Sequence, residues 1–113
     1  MANTFKQATK SNLVTTAISS TDTNILTSGA SATCILLSAL VANKTSTNVN
    51  IDVYIVTNTG DDTYLLKNVP VPAGSSLELI SGSKIILESS DILRSRSDTA
   101  SAADITVSYL EQT

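Results

Sequence analysis

Histidine and tryptophan are missing from this chain of 113 residues, and cysteine occurs once, proline twice and glycine four times. Each shortage removes a kind of chemistry. Without histidine and with one thiol, the ordinary zinc ligand sets cannot be assembled. Cys34 likewise has no imidazole to activate it as a nucleophile and no second cysteine for a disulfide within the chain, so it reads as small core filler. The few glycines stand singly, so no glycine-rich phosphate cradle precedes a helix. Charge is scarce as well. Charged residues make up 15%, against about 25% in an average soluble protein, and the net charge is -3. A domain that lives by neutralising phosphate usually carries a clustered basic excess, so nucleic acid is not an expected partner. No run approaches the roughly 18 apolar residues of a membrane span, and Met1–Gln7 lacks the apolar centre of a secretory signal, so a soluble chain made in the cytosol is expected.

Serine and threonine fill the gap, at roughly three residues in ten, and with few sustained helix formers this composition favours strands and turns. The clearest strand is Val49-Asn50-Ile51-Asp52-Val53-Tyr54-Ile55. Val49, Ile51, Val53 and Ile55 should share one face, with Asn50, Asp52 and Tyr54 on the other. Thr33 to Val41 is apolar at nearly every position and reads as a central strand, joined by the turn residues Asn43 to Thr47 into a hairpin with the strand at Val49. Further strands are expected at Thr63–Lys67, Ser76–Ile80, Lys84–Glu88, Asp91–Ser95 and Ile105–Leu110. Val69 to Gly74, with Pro70 and Pro72, should be an edge or a loop, and Ser97 to Ala103 a long hairpin loop. About eight strands in this length predict an all-β, two-sheet antiparallel sandwich over residues 13–113, immunoglobulin-like or jelly-roll-like. Residues 1–12 are polar without alternation and read as an N-terminal extended arm.

No catalytic, cofactor or metal site emerges from the residues. Ser81-Gly82-Ser83-Lys84 places serine three residues before lysine, a spacing found in one class of serine acyltransferases, but companion motifs and a supporting helix are lacking, so it reads as a turn into a strand. Asn58-Thr59-Gly60-Asp61-Asp62 is rich in oxygen, yet does not match a calcium loop and reads as an Asx-type turn. Asn43-Lys44-Thr45 fits the glycosylation pattern and is better read as a turn. Arg94 and Arg96 lie on one side of their strand, where they could meet an acidic neighbour. What remains is packing. A second apolar set faces away from the expected core, and Phe5, Leu36, Leu40, Tyr54, Val56, Leu65, Ile80 and Ile86 form the candidate interaction surface. Other copies of the chain are the expected partners.

The opening Met1-Ala2-Asn3-Thr4-Phe5-Lys6, the strands Ile35–Val41 and Val49–Ile55, and Val71-Pro72-Ala73-Gly74-Ser75-Ser76-Leu77 resemble small virion structural proteins of tailed bacteriophages. Lys84–Glu88, Asp91–Leu93 and Val107–Glu111 extend the likeness to almost the whole chain. The resemblance implies a β-sandwich on a virus particle, as a capsid decoration or cement protein, a neck or tail component, or a baseplate or fibre-attachment module. A carbohydrate- or receptor-binding sandwich is the alternative from another class. The low aromatic content, 4%, weighs against it, because sugar sites favour aromatic platforms such as Tyr54, Tyr64 or Tyr109 would have to supply. The implied partners are other virion proteins and further copies of the chain, with no catalytic residues to carry over.

Overall fold

A computed structural model describes residues 2–15, 23–80 and 84–113. Among them run nine strands: β1 (Asn3–Lys10), β2 (Asn24–Thr27), β3 (Thr33–Asn43), β4 (Val49–Val56), β5 (Asp62–Val71), β6 (Ser76–Glu78), β7 (Ile85–Leu87), β8 (Ile92–Ser97) and β9 (Ala103–Gln112). They form two antiparallel sheets. One has the order β1-β9-β3-β6 with β7 also on β3, and the other is β2-β8-β4-β5. Counting β6 and β7 as one interrupted strand, the first strand pairs with the last, the last with the third and the third with the sixth. The second, seventh, fourth and fifth make the other sheet. This is the strand order of a jelly roll.

The chemistry of each strand explains its place. Alternation in β4 delivers Val49, Ile51 and Val53, all fully buried, to the space between the sheets. From the facing sheet come Cys34, Leu36, Ala39 and Val41 of β3 with Ile105, Val107 and Tyr109 of β9. Full burial of one such large aliphatic side chain contributes about 1.5–3 kcal/mol relative to leaving it in water. A bulge interrupts β3: Leu36 pairs with Tyr109 and Ser38 with Ser108, leaving Leu37 as the extra residue. It shifts the inward positions from Cys34 and Leu36 to Ala39 and Val41.

The structure corrects the expected connections. β3 and β4 do not form a hairpin, because they lie in different sheets and the chain arches between them. Asn43, 3% exposed, holds that arch. Its Nδ2 donates to the carbonyls of Thr47 at 2.8 Å and Val71 at 2.9 Å, and its Oδ1 accepts the Thr45 N–H at 2.9 Å. An amide so occupied is a structural pin, not a glycan acceptor. The segment after β8 also crosses between sheets and is not a hairpin loop. Val69-Pro70-Val71 ends β5, the edge strand, as the prolines required. Gly74, with φ of 67°, completes the turn closed by Ser75 N–H to the Pro72 carbonyl at 3.1 Å.

Over Asn3–Lys10 the expected arm is a strand of the larger sheet. β1 pairs with β9 over eight residues without a register shift, from Asn3 opposite Gln112 to Lys10 opposite Ile105. It shows no alternation because most of its side chains are exposed on both faces, so its sequence carries no buried stripe to betray a strand.

Candidate interaction surface

The outer face of the five-stranded sheet bears a transverse apolar row. Phe5 of β1 stands opposite Leu110 of β9, Leu110 opposite Ile35 of β3, and Ile35 opposite Ile86 of β7. Three strand spacings put the ends of this row about 14 Å apart. Phe5 is 77% exposed, Ile86 55% and Leu40, on the same face, 40%. Beside the row an open groove of about 360 Å³ is lined by Phe5, Lys6, Gln7, Leu37, Ser108 and Tyr109. A row of large apolar side chains left in water across adjacent strands is the kind of surface that a neighbour covers.

The structure thus places three of the eight candidate residues on this face, Phe5 and Ile86 in the row and Leu40 away from it. The others sit elsewhere. Leu36 is 1% exposed and belongs to the core, because the bulge after it places it on the same side as Val41 despite their opposite parity. Ile80, at 8%, is also core. Leu65 packs against the core from β5, and Val56 is half-buried at the end of β4. Tyr54 is fully buried; its hydroxyl lies 3.2 Å from the Thr23 hydroxyl and its ring centroid 5.3 Å from that of Tyr64. Burial pushes the Tyr54 phenol above its ordinary pKa. Two members of the row, Ile35 and Leu110, were not among the candidates. Leu110 is legible from the alternation of Ile105–Leu110, whereas Ile35 requires knowledge of the bulge.

The other sheet carries a polar groove of about 200 Å³, lined by Thr15, Asn50, Asp52, Asn68, Arg96, Ser97 and Asp98. Two of its lining residues form an internal ion pair, Arg96 Nε to Asp52 Oδ2 at 2.8 Å, which raises the Arg96 pKa. Arg94 donates from Nε to Asn24 Oδ1 at 2.6 Å. The acidic neighbour of Arg96 is therefore Asp52 of the same chain.

The remaining sequence motifs take structural roles where they are described. Ser81, Gly82 and Ser83 lie outside the described residues. Thr57 to Asp61 form a tight turn in which Gly60 N–H reaches the Thr57 carbonyl at 2.8 Å and Thr57 N–H reaches that of Asp61 at 3.0 Å. Among the described residues no three His, Cys, Asp or Glu side chains converge on one point. Cys34 is fully buried in the core. Among them, too, no helix is long and apolar enough to cross a membrane.

Taken together, fold and surface define the class as a small jelly-roll sandwich with an apolar row on the outside of its larger sheet. No family model, curated protein or solved structure matches the chain.

Proposed function

We propose that this chain is a non-enzymatic structural protein of a tailed-phage virion, a decoration or cement protein that binds the head in multiple copies through the outer face of its larger sheet. The observation that carries the reading is the row Phe5, Leu110, Ile35 and Ile86, an apolar band in register across four strands. Such a band costs solubility in a monomer and gains its purpose when covered. The resemblance along the sequence supplies the particle, and the jelly roll, an architecture that viral capsid domains use, agrees with it by analogy of fold. Repeated over many identical contacts, a modest patch yields firm attachment.

Location decides the matter. Mass spectrometry of purified particles should find the protein, and a reconstruction should place it on the head with the Phe5–Ile86 band against a neighbour. Absence from the particle would end this reading, and a position at the neck, tail or fibre would redirect it. A glycan-binding role has less support, since Tyr54 is fully buried and Tyr109 is 7% exposed, leaving Tyr64 as the one half-buried ring of the three.

A further inference from the structure

A sandwich has four sheet edges, and among the described residues three of these are blunted. β6 and β7 share one edge, and each is three residues long. β2 has four residues, with a register shift between Asn24 and Leu26. β5 is longer, but carries Pro70, irregular pairing with β4 and Asn68 at a φ of 52°. Shortness, proline, irregularity and charged side chains are the devices that keep an edge from pairing with another chain. β1 has only the last, in Lys6 and Lys10, and Lys6 is tied to Glu111 of its own chain. It is eight residues long, regular, and without proline or bulge.

Which backbone groups β1 leaves unpaired follows from its ladder. Ala2 and Thr113 exchange both hydrogen bonds, each at 3.0 Å, so the even-numbered residues of β1 point their N–H and C=O groups at β9. Asn3, Phe5, Gln7 and Thr9 point theirs outward along the free edge.

We propose that this edge pairs with the β1 edge of a second copy, antiparallel about a two-fold axis through Gln7, joining the two larger sheets into one of ten strands. This deepens the association reading above, on which it rests for its occupant. Charge separates the two registers of greatest overlap, centred on Gln7 and on Lys6. With Gln7 opposite Gln7 of the second copy, Phe5 faces Thr9, Lys6 faces Ala8 and Lys10 faces Thr4, so no two lysines are opposed. Shifting by one step, to centre the axis on Lys6, would set the two Lys6 ammonium groups directly across from each other, which is destabilising. Within its own chain Lys6 is tied to Glu111 at 2.8 Å. A contact made through one eight-residue strand edge should fall short of the roughly 1,200 Å² of a stable standard interface, so the pairing is expected to be weak in free solution and strengthened where copies are held side by side.

Analytical ultracentrifugation of the full chain tests this directly. The weight-average mass should rise toward twice that of one chain as concentration climbs from about 10 μM to about 1 mM, the range of a weak contact. Gln7→Pro removes an outward N–H while leaving the β9 ladder intact, and should weaken pairing at least about tenfold. Hydrogen exchange at Lys6 and Ala8, whose amides face β9, verifies that β1 stays docked in that variant. If it detaches, crosslinking decides. Gln7→Cys should oxidise to a covalent dimer, its paired Cα atoms standing about 5.5 Å apart. Phe5→Cys should not, because its copy lies about 13 Å along the strand. A chain that stays monomeric throughout, a docked Gln7→Pro variant that pairs as well as the parent, or equal crosslinking at both positions would overturn the proposal. The readout is mass in solution, so its failure is distinguishable from absence from a particle.

Discussion

Arg96 and Asp52 form a clamp across β8 and β4: Arg96 Nε donates to Asp52 Oδ2 at 2.8 Å, while Asp52 Oδ1 accepts the Asn68 N–H at 2.7 Å. One carboxylate thus binds the strand on either side of its own, and it fixes the point where β5 departs from regular pairing, with Asn68 in the left-handed region. Asp52 is 11% exposed and Arg96 28%, so the pair is only partly screened by solvent.

Removing either partner should therefore cost more than a surface ion pair. Asp52→Ala loses both bonds, one of them charge-assisted on each side, for an expected loss of about 2–3 kcal/mol. Arg96→Ala leaves the Asn68 contact in place and should cost about 1–2 kcal/mol. Urea denaturation of the two variants, with unchanged m values, is the measurement. An equal effect of the two would show that the Asn68 contact contributes nothing.

A second carboxylate serves the stretch of β3 that lies between its pairings with β7 and β6. Glu78 Oε2 accepts the N–H of Ala39 at 2.9 Å and of Ile80 at 3.2 Å, just beyond the β3 bulge. Ala39 is 2% exposed, so Glu78→Ala should strand a buried donor and cost about 1–3 kcal/mol. Glu78→Gln keeps an acceptor oxygen and should cost less than about 1 kcal/mol. Faster hydrogen exchange at the Ala39 amide in the alanine variant, and not in the glutamine one, would localise the effect.

The bulge predicts opposite fates for two leucines in the same strand. Leu36→Ala should destabilise by about 2–4 kcal/mol, because it empties space in a packed core. Leu40→Ala, on the outer face, should stay within about 0.5 kcal/mol. Thermal melts at low protein concentration compare them. A strictly alternating β3, the pattern read from the sequence, puts both leucines on the same side and makes their effects equal.

That contrast shows where the sequence was legible and where it was not. Alternation in β4 located Val49, Ile51 and Val53 correctly because nothing interrupts that strand against β8. In β3, apolar at nearly every position, the lone Ser38 beside the bulge does not by itself reveal that the parity changes there, so alternation alone puts Leu36 on the wrong face. Tyr54 was placed on the side away from the core, but alternation gives a direction and not a cover, and Thr23 and Tyr64 supply the cover. Turn chemistry at Asn43–Thr47 likewise reports that the chain turns, without saying which sheet it enters next. β1 is not legible in the sequence, because a strand exposed on both faces has no hydrophobic period.

Acid should weaken the junction between the end of β1 and the start of β9. The Asp104 carboxyl is held below the ordinary aspartate value of 3.8, chiefly by the backbone N–H of Asn12 at 2.8 Å and then by Lys44, 3.1 Å away. A pKa depressed by folding means that the native state favours the ionised form. Its stabilisation is present in full above the unfolded pKa and is lost as pH falls through the folded one, so the window opens near pH 3.8 and extends below. Asp104 is 41% exposed, so solvent screening keeps the contribution small. Asp104→Asn should flatten that part of the stability profile below pH 4 and leave the rest of it parallel to the parent, measured by denaturant midpoints across pH.

The outer row makes the sharpest demand on the proposed role, because it separates stability from association. Phe5→Asp and Ile86→Asp replace side chains 77% and 55% exposed, so each should alter folding stability by no more than about 0.5 kcal/mol. Both should nevertheless reduce attachment to particles, each by about tenfold or more, since an aspartate under a covering neighbour is a buried, unpaired charge. Leu40→Asp, on the same face but outside the register of the row, serves as the comparison. If the band is the contact, the loss on competitive binding to stripped particles is larger for Phe5 and Ile86 than for Leu40. If all three variants attach like the parent, the larger sheet's outer face is not what the particle holds.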